Sequence, residues 1–199
     1  MFLAIDLSLR STGLVCIKQD QFDYKLVTSD SKKINDEKLL IYNWNEIEQF
    51  INKNRPTYIA IEGLSFGSLS SSKDILAGNF WYVRTKIAEL YPDVIVDIIP
   101  VLTWRSPLFN KQERLELKEN TKKFKELKVL IKEVKFKEEK NKILLDNEMI
   151  IERSNIKYLT WEKLPEPIKS KFHKIGFNKG GFDLTDAYFI AKYVEVKYA

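Results

Sequence analysis

Cysteine and histidine are almost missing from this sequence, which holds one of each, Cys16 and His173. A single cysteine excludes an intrachain disulfide and any cysteine-rich zinc site, and a single histidine excludes a multi-histidine metal centre. No apolar run reaches the roughly 18 residues of a membrane-spanning helix. The N-terminus also lacks a basic region followed by a long apolar segment, because Asp6 interrupts the run at once. The expectation is a soluble, intracellular protein in a reducing setting, with no signal peptide and no membrane partner. Internal repeats and low-complexity tracts are absent too. Apolar residues at 44% and aromatics at 13% argue against wholesale disorder. At 199 residues, one domain with a substantial core is expected.

The formal net charge of +5 is confined to one segment. Residues 111–142 hold twelve Lys/Arg against seven Asp/Glu, and the remainder of the chain is neutral. A basic segment accompanied by a set of acids fits a polyanionic partner, although a solvated Lys/Glu helix has the same composition.

Apolar and β-branched runs predict strands over 2–7, 13–18 and 22–29, joined by short turns that use Gly13 and Gln19-Asp20-Gln21. Leu40, Ile41, Trp44, Ile47, Phe50 and Ile51 recur at helical spacing and predict a helix over 37–52, capped by Asn35 or Asp36 and ended by Arg55-Pro56. A strand over 57–62, a Gly/Ser loop over 63–72, a helix over about 73–90 and a strand over 94–99 follow. The order βββ-α-β-α-β predicts a mixed five-stranded α/β sheet, three antiparallel strands first and β-α-β crossovers after, with helices on both faces. Residues 101–180 form a basic, partly helical insertion within the single domain 1–199, and 183–196 a final helix.

Four acids stand in apolar settings on elements far apart in sequence. Asp6 is set into the run Phe2–Ser8, Glu62 ends the run Tyr58–Ile61, and Asp183 and Asp186 lie three apart at the start of the final helix. Each has an ordinary explanation alone: a strand-end carboxylate, or an N-cap in the case of Asp183. Together they are how a fold assembles a divalent-metal site. An acid in an apolar run is costly unless paired, and several in one place repel unless cations are present. Oxygen-only donors select hard ions, so Mg²⁺ is expected, with Mn²⁺ substituting. Two such ions about 4 Å apart form the clamp used in phosphodiester hydrolysis. With the basic segment, the pattern reads as a metal-dependent nuclease.

These residues carry a family resemblance. Ala4-Ile5-Asp6-Leu7-Ser8 with Thr12-Gly13, then Ile59-Ala60-Ile61-Glu62-Gly63 with Phe66-Gly67, then Asp183-Leu184-Thr185-Asp186-Ala187 resembles the RuvC family of Holliday-junction resolvases, and within it the phage and poxvirus branch. The resemblance spans about 1–100 and 180–195 and implies a ribonuclease H-like fold. It also implies Asp6, Glu62, Asp183 and Asp186 as catalytic ligands of two Mg²⁺ ions. A homodimer would nick two opposed strands of a four-way DNA junction symmetrically, without a nucleotide cofactor, leaving ligatable 5′-phosphate ends. Phe66 resembles the aromatic wedge of the family, offset by one residue, and the helix over 73–90 is implied in the dimer interface with Phe80, Trp81 and Tyr82. Arg105, Lys111, Arg114, Lys118, Lys122 and Lys123 are the candidate DNA contacts. A phage- or virus-encoded protein acting in its host cell fits the same resemblance.

Three other readings stand beside it. One keeps the fold and changes the substrate: a ribonuclease H-type nuclease acting on hybrids, flaps or other branched nucleic acids. Another is a sugar kinase or actin-like ATPase, which opens with a similar strand, Asp and Gly turn, but needs a second phosphate-binding hairpin that is not visible. The last is a DNA-binding protein whose site is inactive, disfavoured by the presence of all four acids.

Overall fold

The computed structural model describes residues 1–19, 21–29, 35–64, 73–176 and 179–198. The N-terminal apolar runs form β1 (Phe2–Asp6), β2 (Ser11–Lys18) and β3 (Gln21–Thr28), paired antiparallel in sequence order. α1 (Asp36–Asn54) begins where the Asn35 side chain accepts from the Lys38 amide, and ends where Arg55 turns left-handed at φ 48° ahead of Pro56. β4 (Tyr58–Glu62), α2 (Lys73–Leu90) and β5 (Ile95–Ile99) then build the crossovers. β4 pairs parallel with both β1 and β5, and the strand order is β3-β2-β1-β4-β5. This is the expected mixed α/β sheet, with β1 at its centre.

The two faces of the sheet differ. Leu3, Ile5, Leu14, Cys16, Val27, Ile59 and Ile61 pack against Trp44, Ile47, Phe50 and Ile51 of α1 and against Phe80, Val83 and Ile87 of α2. That layer is an apolar core. Burial there pushes the Cys16 thiol up to about 11, so it stays protonated and unreactive. The opposite face is covered by the C-terminal helix, α9 (Gly181–Tyr198), which buries Leu184, Ala187, Ile190, Ala191 and Val194. Aromatic contacts seat it along its length. Tyr188 meets Phe22 at 6.1 Å between ring centroids, and Tyr198 meets Tyr58 at 4.8 Å.

The chain between β5 and α9 is helical almost throughout. It comprises α3 (Val101–Arg105), a 3₁₀ turn (Ser106–Leu108), α4 (Lys111–Glu133), α5 (Lys137–Asp146), α6 (Glu148–Arg153), α7 (Ile156–Glu162) and α8 (Glu166–His173). Pro165 separates α7 from α8, and neither is long enough to show a clear period in the sequence. Contacts divide the described residues into two compact units: Met1–Arg105 with Glu166–Ala199, and Ser106–Pro165. Within the second, α4 starts on an Asn110/Glu113 capping box and packs on α6. Lys163 pairs with Glu113, and Arg153 lies 3.8 Å from Glu116. Among the described residues, no helix is long and apolar enough to cross a membrane.

Two glycines let α9 sit close to the sheet. A Cβ on Gly13 would lie 2.2 Å from the Asp183 carbonyl oxygen, so β2 and the first turn of α9 touch backbone to backbone. Gly180, at φ +107°, turns the chain into α9 where a side chain would meet Leu26 and Ser11. Gly13→Ala is therefore expected to destabilise the protein by about 1–3 kcal/mol through overpacking, read as a lowered urea midpoint. Wild-type stability in that variant would mean that α9 is not seated this closely.

Candidate metal centre

The parallel register of β1 and β4 aligns Ala4 with Ala60 and Ile5 with Ile61. The next residues along the two strands are Asp6 and Glu62, so both carboxylates emerge side by side at the strands' C-terminal ends, on the face that α9 covers. Asp186 comes down from the second turn of α9. One oxygen from each of Asp6, Glu62 and Asp186 lies within 4.8 Å of the others. Asp186 is 2% exposed and Asp6 9%. Three carboxylate donors with no nitrogen or sulfur among them fit a hard divalent cation and would be a poor site for a soft one.

Asp183 belongs to the first turn of α9, inside the helix and not at its N-cap. Its Oδ2 accepts a 2.5 Å hydrogen bond from the Ser11 hydroxyl at the start of β2. It thus flanks the three converging acids, tied to the β1–β2 turn. That turn is itself locked. The Ser8 hydroxyl accepts from the Ser11 and Arg10 amides, Thr12 Oγ1 donates to the Ser8 carbonyl, and Asn79 of α2 donates to the same carbonyl at 3.4 Å. The Ser/Thr-rich composition after Asp6 therefore holds the acid-bearing strand ends in register.

Arg105 takes a place the sequence does not announce. It ends α3, the single turn after Pro100, and its Nη2 donates to Asp186 Oδ2 at 2.8 Å. The guanidinium carbon stands 4.4 Å from the ring centroid of Trp104, which is 1% exposed. A residue expected to contact DNA is thus held on a carboxylate of the acidic centre. Lys111, Arg114, Lys118, Lys122 and Lys123 are exposed on α4 in the second unit. The first four share one helix face by spacing, and Lys123 pairs with Glu119 at 2.8 Å. Phe66 lies outside the described residues. Of the aromatics in α2, Phe80 is core, whereas Trp81 is 58% exposed with Arg84 stacked 4.5 Å from its ring.

Sequence reasoning finds the acids but does not pair Asp183 with Ser11 or Asp186 with Arg105. Ser11 reads as a turn residue, and Arg105 as one of many cations. The usable signal was indirect: a buried carboxylate requires a counter-charge, and Trp-Arg directly after a strand-ending proline is a rigid place to present one.

No family model matches the sequence, and no curated protein matches it. Among solved structures the chain is similar to Thermus thermophilus RuvC in complex with a Holliday junction substrate, at 13% identity and TM-score 0.47, covering 56% of this chain and 71% of that one. A second Thermus thermophilus RuvC structure gives 14%, 0.44, 56% and 73%. The yeast mitochondrial Holliday junction resolvase Ydc2 gives 15% and 0.44, covering 96% of this chain and 76% of that one. These are likenesses of fold.

A cation bound by the folded protein alone must stabilise it. Mg²⁺ or Mn²⁺ is expected to raise the melting temperature, by an amount equivalent to about 2.7 kcal/mol at a hundredfold excess over Kd. Asp6→Asn is expected to blunt that rise. Identical melting curves with and without either ion would count against the centre.

Proposed function

We propose that this protein is a metal-dependent, structure-selective endonuclease that resolves four-way DNA junctions by paired symmetric nicks. The observation that carries the reading is the convergence of Asp6, Glu62 and Asp186 within 4.8 Å at the C-terminal ends of a parallel strand pair. Ligand sites in α/β sheets favour such ends, and three oxygen donors at that spacing suit hard-ion phosphodiester chemistry. The motif order and spacing around these acids favour the resolvase branch of that chemistry.

Asp6, Glu62 and Asp186 hold the ions in this reading, with Asp183 as the fourth ligand, oriented by Ser11. Mg²⁺, as two ions per site and replaceable by Mn²⁺, supplies charge neutralisation and Lewis acidity at the scissile phosphate. Hydrolysis adds water across the P–O3′ bond and leaves a 5′-phosphate and a 3′-hydroxyl. Lys111, Arg114, Lys118, Lys122 and Lys123 grip the DNA backbone, positioning it without reading its sequence. Phe66 is the proposed junction wedge. A homodimer supplies the two opposed sites, and the exposed Trp81 on α2 favours that helix as its interface.

The test is a labelled four-way junction incubated with Mg²⁺ and mapped on all four strands, beside flap, hybrid and three-way substrates. Paired symmetric nicks on the four-way junction are expected. Asp6→Asn and Glu62→Gln should each reduce nicking by on the order of 100-fold or more while retaining binding in Ca²⁺ or EDTA. Preferred cleavage of the hybrid would move the assignment to a ribonuclease H-type activity, and full activity in either variant would remove the site.

A further inference from the structure

Asp186 faces two demands. It is the most enclosed of the converging acids, and it also accepts from the Arg105 guanidinium, whose side chain is itself only 12% exposed. A buried carboxylate needs a counter-charge, and Arg105 supplies one from within the same compact unit. The pairing recorded is end-on: Nη2 donates to Oδ2. The buried Arg105 Nε has no hydrogen-bond acceptor among the described residues. A bidentate fork, the arrangement in which Arg–carboxylate pairs are strongest, would use two donors. Trp104 fixes the guanidinium from one side at 4.4 Å, so the side chain is presented to Asp186 by packing as well as by charge.

A divalent cation on Asp6, Glu62 and Asp186 would share a carboxylate with a guanidinium already 2.8 Å from it. Both cations are attracted to the same acid and repel each other. We infer that Arg105 is a built-in competitor for the metal centre: it neutralises Asp186 in the ion-free protein, and it weakens the affinity of the three acids for a divalent ion. The inference rests on the reading of those acids as a cation site. Arg105 is thus a positioning residue that sets how much free ion is needed to load the centre. The role differs from both a backbone contact to DNA and a plain packing contact, and each alternative gives a different result on removal.

The experiment is Mn²⁺ binding by calorimetry and by electron paramagnetic resonance, without DNA, on wild type, R105Q, R105K and Asp6→Asn. R105Q is expected to bind Mn²⁺ at least about tenfold more tightly, well inside the upper limit set by removing a like charge a few ångströms away at an effective dielectric of about 20. R105K, which keeps the charge, should stay within about threefold of wild type. The melting temperature of R105Q should fall without ion and recover towards wild type at saturating Mn²⁺, whereas a merely structural role lowers it equally in both. Unchanged or weaker Mn²⁺ binding by R105Q, with binding still sensitive to Asp6→Asn, overturns the competition and leaves the centre standing. Binding that is absent from both wild type and R105Q, or indifferent to Asp6→Asn, overturns the centre and the competition together. Should R105Q not fold, Mg²⁺ titration of ¹⁵N-labelled wild type decides: the Arg105 guanidinium signals shift in step with ion binding, and signals that stay fixed overturn the inference.

Discussion

The constraint behind this structure is the crowding of carboxylates at one end of a buried sheet face. Asp6 and Glu62 are neighbours because β1 and β4 are neighbours, and Asp186 is added from above by α9. Like charges in such surroundings oppose folding unless they are offset. The offsets visible in the protein are local and directed: Arg105 on Asp186 and the Ser11 hydroxyl on Asp183. Neither partner comes from a distant surface chain. Each is delivered by a turn or short helix immediately attached to the sheet.

Everything that delivers those groups depends in turn on how closely α9 approaches. The residues of β1, β2 and β4 that face it near the acids are Ala4, Gly13 and Ala60, all buried and all small. At Gly13 the contact is backbone on backbone, with no room for a methyl group. The opposite face shows the contrast: isoleucines, leucines and aromatics from α1 and α2 fill it. The larger apolar side chains gather on one side of the sheet and the converging acids lie on the other.

Much of this was legible in the sequence. The apolar runs, the helical spacing of Leu40 through Ile51, and Gly and Pro as punctuation led to five strands in the observed pairing scheme, with boundaries within a few residues. The acids were legible because a lone charge in a β-rich run is an anomaly, and three such anomalies on separate elements are rarely coincidence. Ser11 and Arg105 were not legible as partners, because polar pairing across 172 and 81 residues leaves no trace in local composition. The helices of Ser106–Pro165 were legible only in part. Their apolar positions are sparse, with Leu127 the buried residue of α4, so periodicity had little to register there.

The Arg105–Asp186 pair also bears on why a site of this type is not simply built from acids alone. Four uncompensated carboxylates would make the ion-free chain depend on metal in order to fold, as small metal-dependent domains do. An internal guanidinium relaxes that dependence, because Asp186 retains a counter-charge when no ion is bound. On the proposed competition, the same guanidinium would raise the ion concentration at which the centre fills, since whatever stabilises the ion-free state opposes loading by the same free energy. Arginine suits the task better than lysine: its charge is not lost on burial, and its planar group can be held against the Trp104 indole while one edge faces the acid. In the proposed reading, a centre arranged in this way would fold first and take up its ions afterwards.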